Sequence, residues 1–168
     1  MGIQLAYNCF MEIQLTEEEQ KLVEYSKESI IKYNKIRHAK GDIDTLYAFL
    51  ISESGKVYDG AALEPSIVCA EKHAIASLTL QESHKAKIKS IVIAAPVPEI
   101  QIMGTPPCGA CREAIWNHGI SETAIILVQY IQSKTDWTFP KIEKYVIKDF
   151  YPLPYEPISG LWDNWEPK

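Results

Sequence analysis

Positive charge is scarce in this chain: 17 Lys and Arg stand against 22 Asp and Glu, a formal net charge of -5 over 168 residues. Proteins that grip nucleic acid or an anionic membrane usually gather Lys and Arg on one face. The balance here argues against a polyanion partner and for a small free substrate. Long apolar runs are missing as well, and none approaches the roughly 20 residues that a membrane-spanning helix needs. Residues 1–11 have no basic flank, no sustained apolar core and no small-residue cleavage site, so they do not read as an export signal. Ala6 stands where a myristoylation signal wants Ser or Thr. The expectation is a soluble, cytoplasmic protein. Internal repeats, low-complexity tracts and Gly/Ser linkers are absent too. With 46% hydrophobic residues the length suits one domain with one core.

Cysteine is sparse, and what there is sits in a pattern. Cys9 reads as a small buried residue, whereas Cys69, Cys108 and Cys111 fall at the starts of expected helices. Without an export signal, metal binding or catalysis is favoured over a disulfide framework. Thr16 followed by Glu17, Glu18 and Glu19 forms an N-cap with acids in the first turn. Leu22, Val23, Ser26, Ile30 and Tyr33 then recur at helical spacing, predicting a helix that ends near 38–41. Segments 46–52 and 56–62 read as a β-hairpin turning at Glu53-Ser54-Gly55. An amphipathic helix over 69–80, a buried strand over 88–95 and a short helix over 109–117 follow. Strands over 124–131 and 142–147 complete an α/β domain of three layers, α/β/α, with a mixed sheet of about five strands.

Cys69-Ala70-Glu71 opens one helix and Pro107-Cys108-Gly109-Ala110-Cys111 opens another. Helix N-termini carry partial positive charge and favour thiolates, so three sulfurs can converge there on a divalent metal. Three sulfurs at about 2.3 Å leave the fourth tetrahedral position of Zn²⁺ open to water, the arrangement of a catalytic site. Glu71 follows Cys69 by two residues and can aim its carboxylate at that water without being a ligand, the place of a proton shuttle. A Cys-x-x-Cys pair alone also occurs in redox and structural sites. The compound pattern, Cys-x-Glu followed by Pro-Cys-x-x-Cys, is that of zinc deaminases. His38, His73, His84 and His118 are not needed to complete such a set.

These residues, with Arg112, resemble the small cytidine deaminases of the three-cysteine type, whose relatives include the blasticidin-S deaminases. The likeness extends to Leu50-Ile51-Ser52-Glu53-Ser54-Gly55-Lys56-Val57, similar to that family's first hairpin, and to Phe150-Tyr151-Pro152-Leu153-Pro154-Tyr155 near its end. It divides the chain into an N-terminal extension and helix (1–40), a core (46–155) and an aromatic tail (156–168). The resemblance implies Cys69, Cys108 and Cys111 as zinc ligands and Glu71 as the acid and base. It implies that backbone groups of Ala70 and Pro106 meet the pyrimidine carbonyl and the leaving amine. Arg112 would donate to a ligand thiolate from outside the ligand set. A homotetramer or dimer and a role in pyrimidine salvage are further implications.

Two departures bear on substrate. The family's ribose-gripping Asn-x-Glu-Asn is replaced by Ala62-Leu63-Glu64-Pro65, leaving Glu64 alone, and Lys72 stands where many members carry Arg. A site that loses an amide partner for a hydroxyl loses much of its discrimination. Cytidine or deoxycytidine is the default substrate. Blasticidin S or another modified cytosine is one alternative, and a catalytically silent zinc-containing binding protein is another. Tyr155, Trp162 and Trp165 are expected to pack on the domain or a neighbour.

Overall fold

In the computed structural model, residues 14–63 and 68–152 are described. Cys9, Glu64 and the aromatic tail with Tyr155, Trp162 and Trp165 lie outside them. Helix α1 (Glu17–Ala39) begins where the sequence places it. Thr16 Oγ1 accepts from the Glu19 amide at 3.2 Å while the Glu19 carboxylate accepts from the Thr16 amide at 2.7 Å, a reciprocal cap. Leu22, Val23, Ser26, Ser29, Ile30 and Asn34 are buried, so one stripe of the helix lies on the sheet.

Strands β1 (Tyr47–Ser52) and β2 (Val57–Ala61) form the expected hairpin, with Gly55 at φ 83° in its turn. Helix α2 (Ala70–Gln81), β3 (Ile88–Pro96), α3 (Gly109–His118), β4 (Ala124–Ser133), β5 (Asp136–Val146) and the short α4 (Ile147–Phe150) follow. The sheet order is β2-β1-β3-β4-β5. Only β3 and β4 run parallel, because α3 supplies the crossover a parallel pair requires; the other pairs are antiparallel.

Every residue of β1 is buried, since both faces of the sheet are covered. Tyr47, Phe49 and Ile51 pack under α1 with Ile126, Val128 and Tyr130. Ala48 and Leu50 face the other way, against Ala74, Leu78 and Ile115 of α2 and α3 together with Ile125 and Leu127. The molecule is a three-layer α/β/α structure with a mixed five-stranded sheet.

Strand β5 is longer than the sequence suggests. Its early half pairs Ser133↔Asp136 and Ile131↔Thr138 across a two-residue turn in which Lys134 takes φ 56°. Neither Gly nor Asn marks that turn, and Pro140 interrupts the strand. An edge strand tolerates Pro because one side of it needs no ladder donor. Ile147, expected to close this strand, instead begins α4.

Candidate metal centre

The N-termini of α2 and α3 meet on the same side of the sheet. Cys69 and Cys108 are their N-cap residues, both with extended backbone, φ -68° and ψ 150° for one, φ -65° and ψ 165° for the other. Neither side chain caps its own helix. The Cys108 carbonyl accepts instead from the Cys111 and Arg112 amides, both at 2.9 Å, which winds Cys111 back toward the same point. The Cys69 and Cys108 sulfurs are 3.7 Å apart, and all three sulfurs lie within 4.8 Å of one another. Tetrahedral thiolates about 2.3 Å from zinc are themselves about 3.8 Å apart, so the Cys69–Cys108 spacing matches the ion and the whole donor set is compatible with it. Among the described residues no other His, Cys, Asp or Glu joins the cluster.

The sulfurs differ in setting. Burial pushes the Cys111 thiol well above its ordinary value, and it raises Cys69 as well. Cys108 is exposed; the burial it does feel is outweighed by hydrogen bonding from the Cys111 amide and the adjoining thiols, and its value falls.

Glu71 is 5% exposed, in the first turn of α2. Burial raises its pKa, against the smaller pull of its own backbone amide and the Cys111 thiol. A raised carboxyl pKa is the direction that suits a group which takes and returns a proton. Ala70 is buried beside it and Pro106 is half-buried in the loop ahead of α3. Glu64 lies outside the described residues.

The Arg112 contacts among the described residues differ from the thiolate donation expected of it. Its Nε donates to the Pro107 carbonyl at 2.8 Å and its Nη1 to the Phe150 carbonyl at 3.1 Å, with the guanidinium over the Phe150 ring. Main-chain carbonyls draw the planar fork across the helix start, so Arg112 braces the Pro107–Cys108 peptide and ties α3 to α4. The His73 ring is within reach of the Ala61 carbonyl at 3.1 Å and amide at 3.3 Å, fastening the first turn of α2 to the end of β2. Sequence reasoning left Gln129 and Glu143 out altogether. Their signal was one amide inside the apolar run AIILVQYI and one acid in the alternating segment KIEKY.

No family model matches the chain, and no curated protein matches it. Solved structures do. The cytidine deaminase from Burkholderia pseudomallei is 18% identical, covers 76% of this chain and 98% of its own, and superposes with a TM-score of 0.54. The cytidine deaminase from Mycobacterium tuberculosis is 15% identical over 77% of this chain and 97% of its own, with a TM-score of 0.46. The first of these likenesses gives the chain a cytidine deaminase-like fold; at such identity it speaks to fold alone.

Proposed function

We propose that the protein is a zinc-dependent hydrolytic deaminase acting on the exocyclic amine of a cytosine-type nucleoside. The observation that carries this reading is the meeting of three sulfurs at two helix N-termini with a buried carboxyl, Glu71, one residue into the first helix. A zinc ion held by Cys69, Cys108 and Cys111 supplies a Lewis acid that makes water nucleophilic near neutral pH.

The chain's own residues then manage protons and position. The Glu71 carboxylate takes a proton from the water that attacks the amine-bearing ring carbon. It returns that proton to the adjacent ring nitrogen. A second transfer through Glu71 carries the remaining water proton to the amine, which leaves as ammonia, and the ring keeps a carbonyl. Main-chain groups of Ala70 and Pro106 flank the ring and orient the carbonyl and the leaving amine. Arg112 holds the Pro107 carbonyl and so the start of α3. The protein acts on a small molecule, as its acidic balance supports, and assembles as a homo-oligomer.

A second reading keeps the chemistry and changes the substrate. Ala62 and Pro65 replace residues that would grip a ribose, and Leu63 between them is an exposed apolar side chain. That favours a modified cytosine compound such as blasticidin S. Ammonia release from cytidine, deoxycytidine, cytosine and blasticidin S by the zinc-loaded protein tests both. Turnover of cytidine or deoxycytidine supports the first reading and turnover of blasticidin S alone the second. One zinc per chain with no ammonia from any of them would overturn both and leave a silent zinc-binding protein.

A further inference from the structure

The loop over residues 97–107 delivers Cys108 to the metal centre, yet the apolar side chains of its middle, over 98–103, do not hold it. Ile102 is 96% exposed and Ile100 59%, so hydrophobic burial contributes little to its position. Polar side chains of the sheet grip its backbone instead. Gln129 is fully buried, its Oε1 accepting from the Gln101 amide at 2.8 Å and its Nε2 donating to the Gln101 carbonyl at 3.0 Å. Three residues on, the Gly104 amide donates to Glu143 Oε2 at 2.6 Å. Lys141 Nζ reaches the Gln101 and Ile102 carbonyls and pairs with Glu143 at 3.3 Å.

These grips share one face by register. Leu127 pairs with Glu143 and Gln129 with Lys141, while Leu127 belongs to the core beneath α2 and α3. Alternation puts all of them on the side of the sheet that carries the cysteines. Gly104 lies so close to this face that a Cβ there would sit 2.7 Å from Leu127 Cβ. From Gly104 only Thr105, Pro106 and Pro107 separate the strap from Cys108, and two successive prolines transmit position because their φ angles are fixed.

We propose that Gln129 and Glu143 are positioning residues that hold the 97–107 loop in register and thereby keep the Cys108 sulfur within ligand distance of Cys69 and Cys111. The inference rests on the reading of the three cysteines as metal ligands. The variants are Glu143→Ala, Glu143→Gln, Gln129→Met and Gly104→Ala in the full chain. Glu143→Gln keeps an oxygen for the Gly104 amide, so it restores what Glu143→Ala removes.

Three measurements decide the matter. Chelator competition and the thiolate-to-cobalt charge-transfer band of cobalt-loaded protein report the metal site. Affinity is expected to fall about 10-fold in Glu143→Ala, Gln129→Met and Gly104→Ala, with an altered band, and to return in Glu143→Gln. Hydrogen exchange of the amides of Thr105 and of residues 108–112 in metal-free protein reports the loop end, at positions that Gln129 and Glu143 do not touch. Exchange is expected to quicken in the same three variants and recover in Glu143→Gln. Wild-type affinity and band in Glu143→Ala, or unchanged exchange at Thr105 and 108–112, would overturn the inference. A wild-type protein that binds no metal at the cysteines would instead sink the reading of the site, and the exchange data alone would then decide whether the strap positions the loop. If Gln129→Met fails to fold, the Glu143 pair on the half-buried edge strand carries the test.

Discussion

In the proposed reaction Glu71 and the three cysteines divide the work, and single substitutions separate their parts. Glu71→Gln keeps the size of the side chain and removes the exchangeable carboxyl proton. It is expected to lower kcat by about 10²–10⁴-fold, the usual worth of general acid–base catalysis, while zinc per chain by metal analysis stays as in the wild type. Cys111→Ser is expected to do the opposite and lose the zinc, because the buried serine hydroxyl does not ionise to replace the thiolate. Gly60 shows how tightly the surroundings are built. A Cβ there would lie 2.2 Å from the Ala70 carbonyl oxygen and 2.5 Å from the Ala74 amide nitrogen, both backbone atoms. Gly60→Ala is expected to cost about 1–3 kcal/mol by overpacking, read as a lower Tm. The candidate site residues could be named from the chain because the Cys-x-Glu and Pro-Cys-x-x-Cys spacings are local. The contacts of Arg112 were not, since its Phe150 partner is 38 residues away in sequence.

At the scale of elements, α1 is secured at its first turn. Glu19, 5% exposed, serves the Thr16 cap and also pairs with Lys144 of β5 at 2.6 Å, joining the helix start to the sheet edge. Thr16→Ala is expected to lower stability by about 1 kcal/mol, seen as a lower urea midpoint with an unchanged slope. A fall of only a tenth of that would show that Glu19 and Lys144 hold the helix start unaided. Helix starts and the first hairpin could be read from the chain because caps, turn glycines and periodicity act within a few residues. The early half of β5 could not. Its turn uses Lys134 at positive φ and its run contains Pro140, and what overrides both is pairing with β4.

For the whole molecule, the described helices contain none long and apolar enough to cross a membrane. Loss of stability in acid has a contributor in His118. Burial pushes the imidazole below its ordinary value, against the smaller opposing effect of a hydrogen bond with the Ala86 backbone. The folded state therefore binds that proton only at lower pH than the unfolded chain, which takes it near pH 6.5. This contribution is full above that value and is lost as pH falls from there through the depressed folded value. His118→Gln is expected to lose less stability than the wild type between pH 7.5 and 5 in urea titrations; equal losses would remove His118 as the cause. The amino-acid sequence by itself determined the order of the first three helices and the five strands, the three-layer class and the donor types at two helix starts. Those follow from capping, periodicity and side-chain chemistry over short spans. Only the tertiary structure decided that the sulfurs of Cys69 and Cys108, 39 residues apart, stand 3.7 Å from each other. It also decided that the loop between them is strapped by Gln129 and Glu143. Distances of that kind depend on how the sheet stacks its strands and where it lays the helices, which no local pattern encodes.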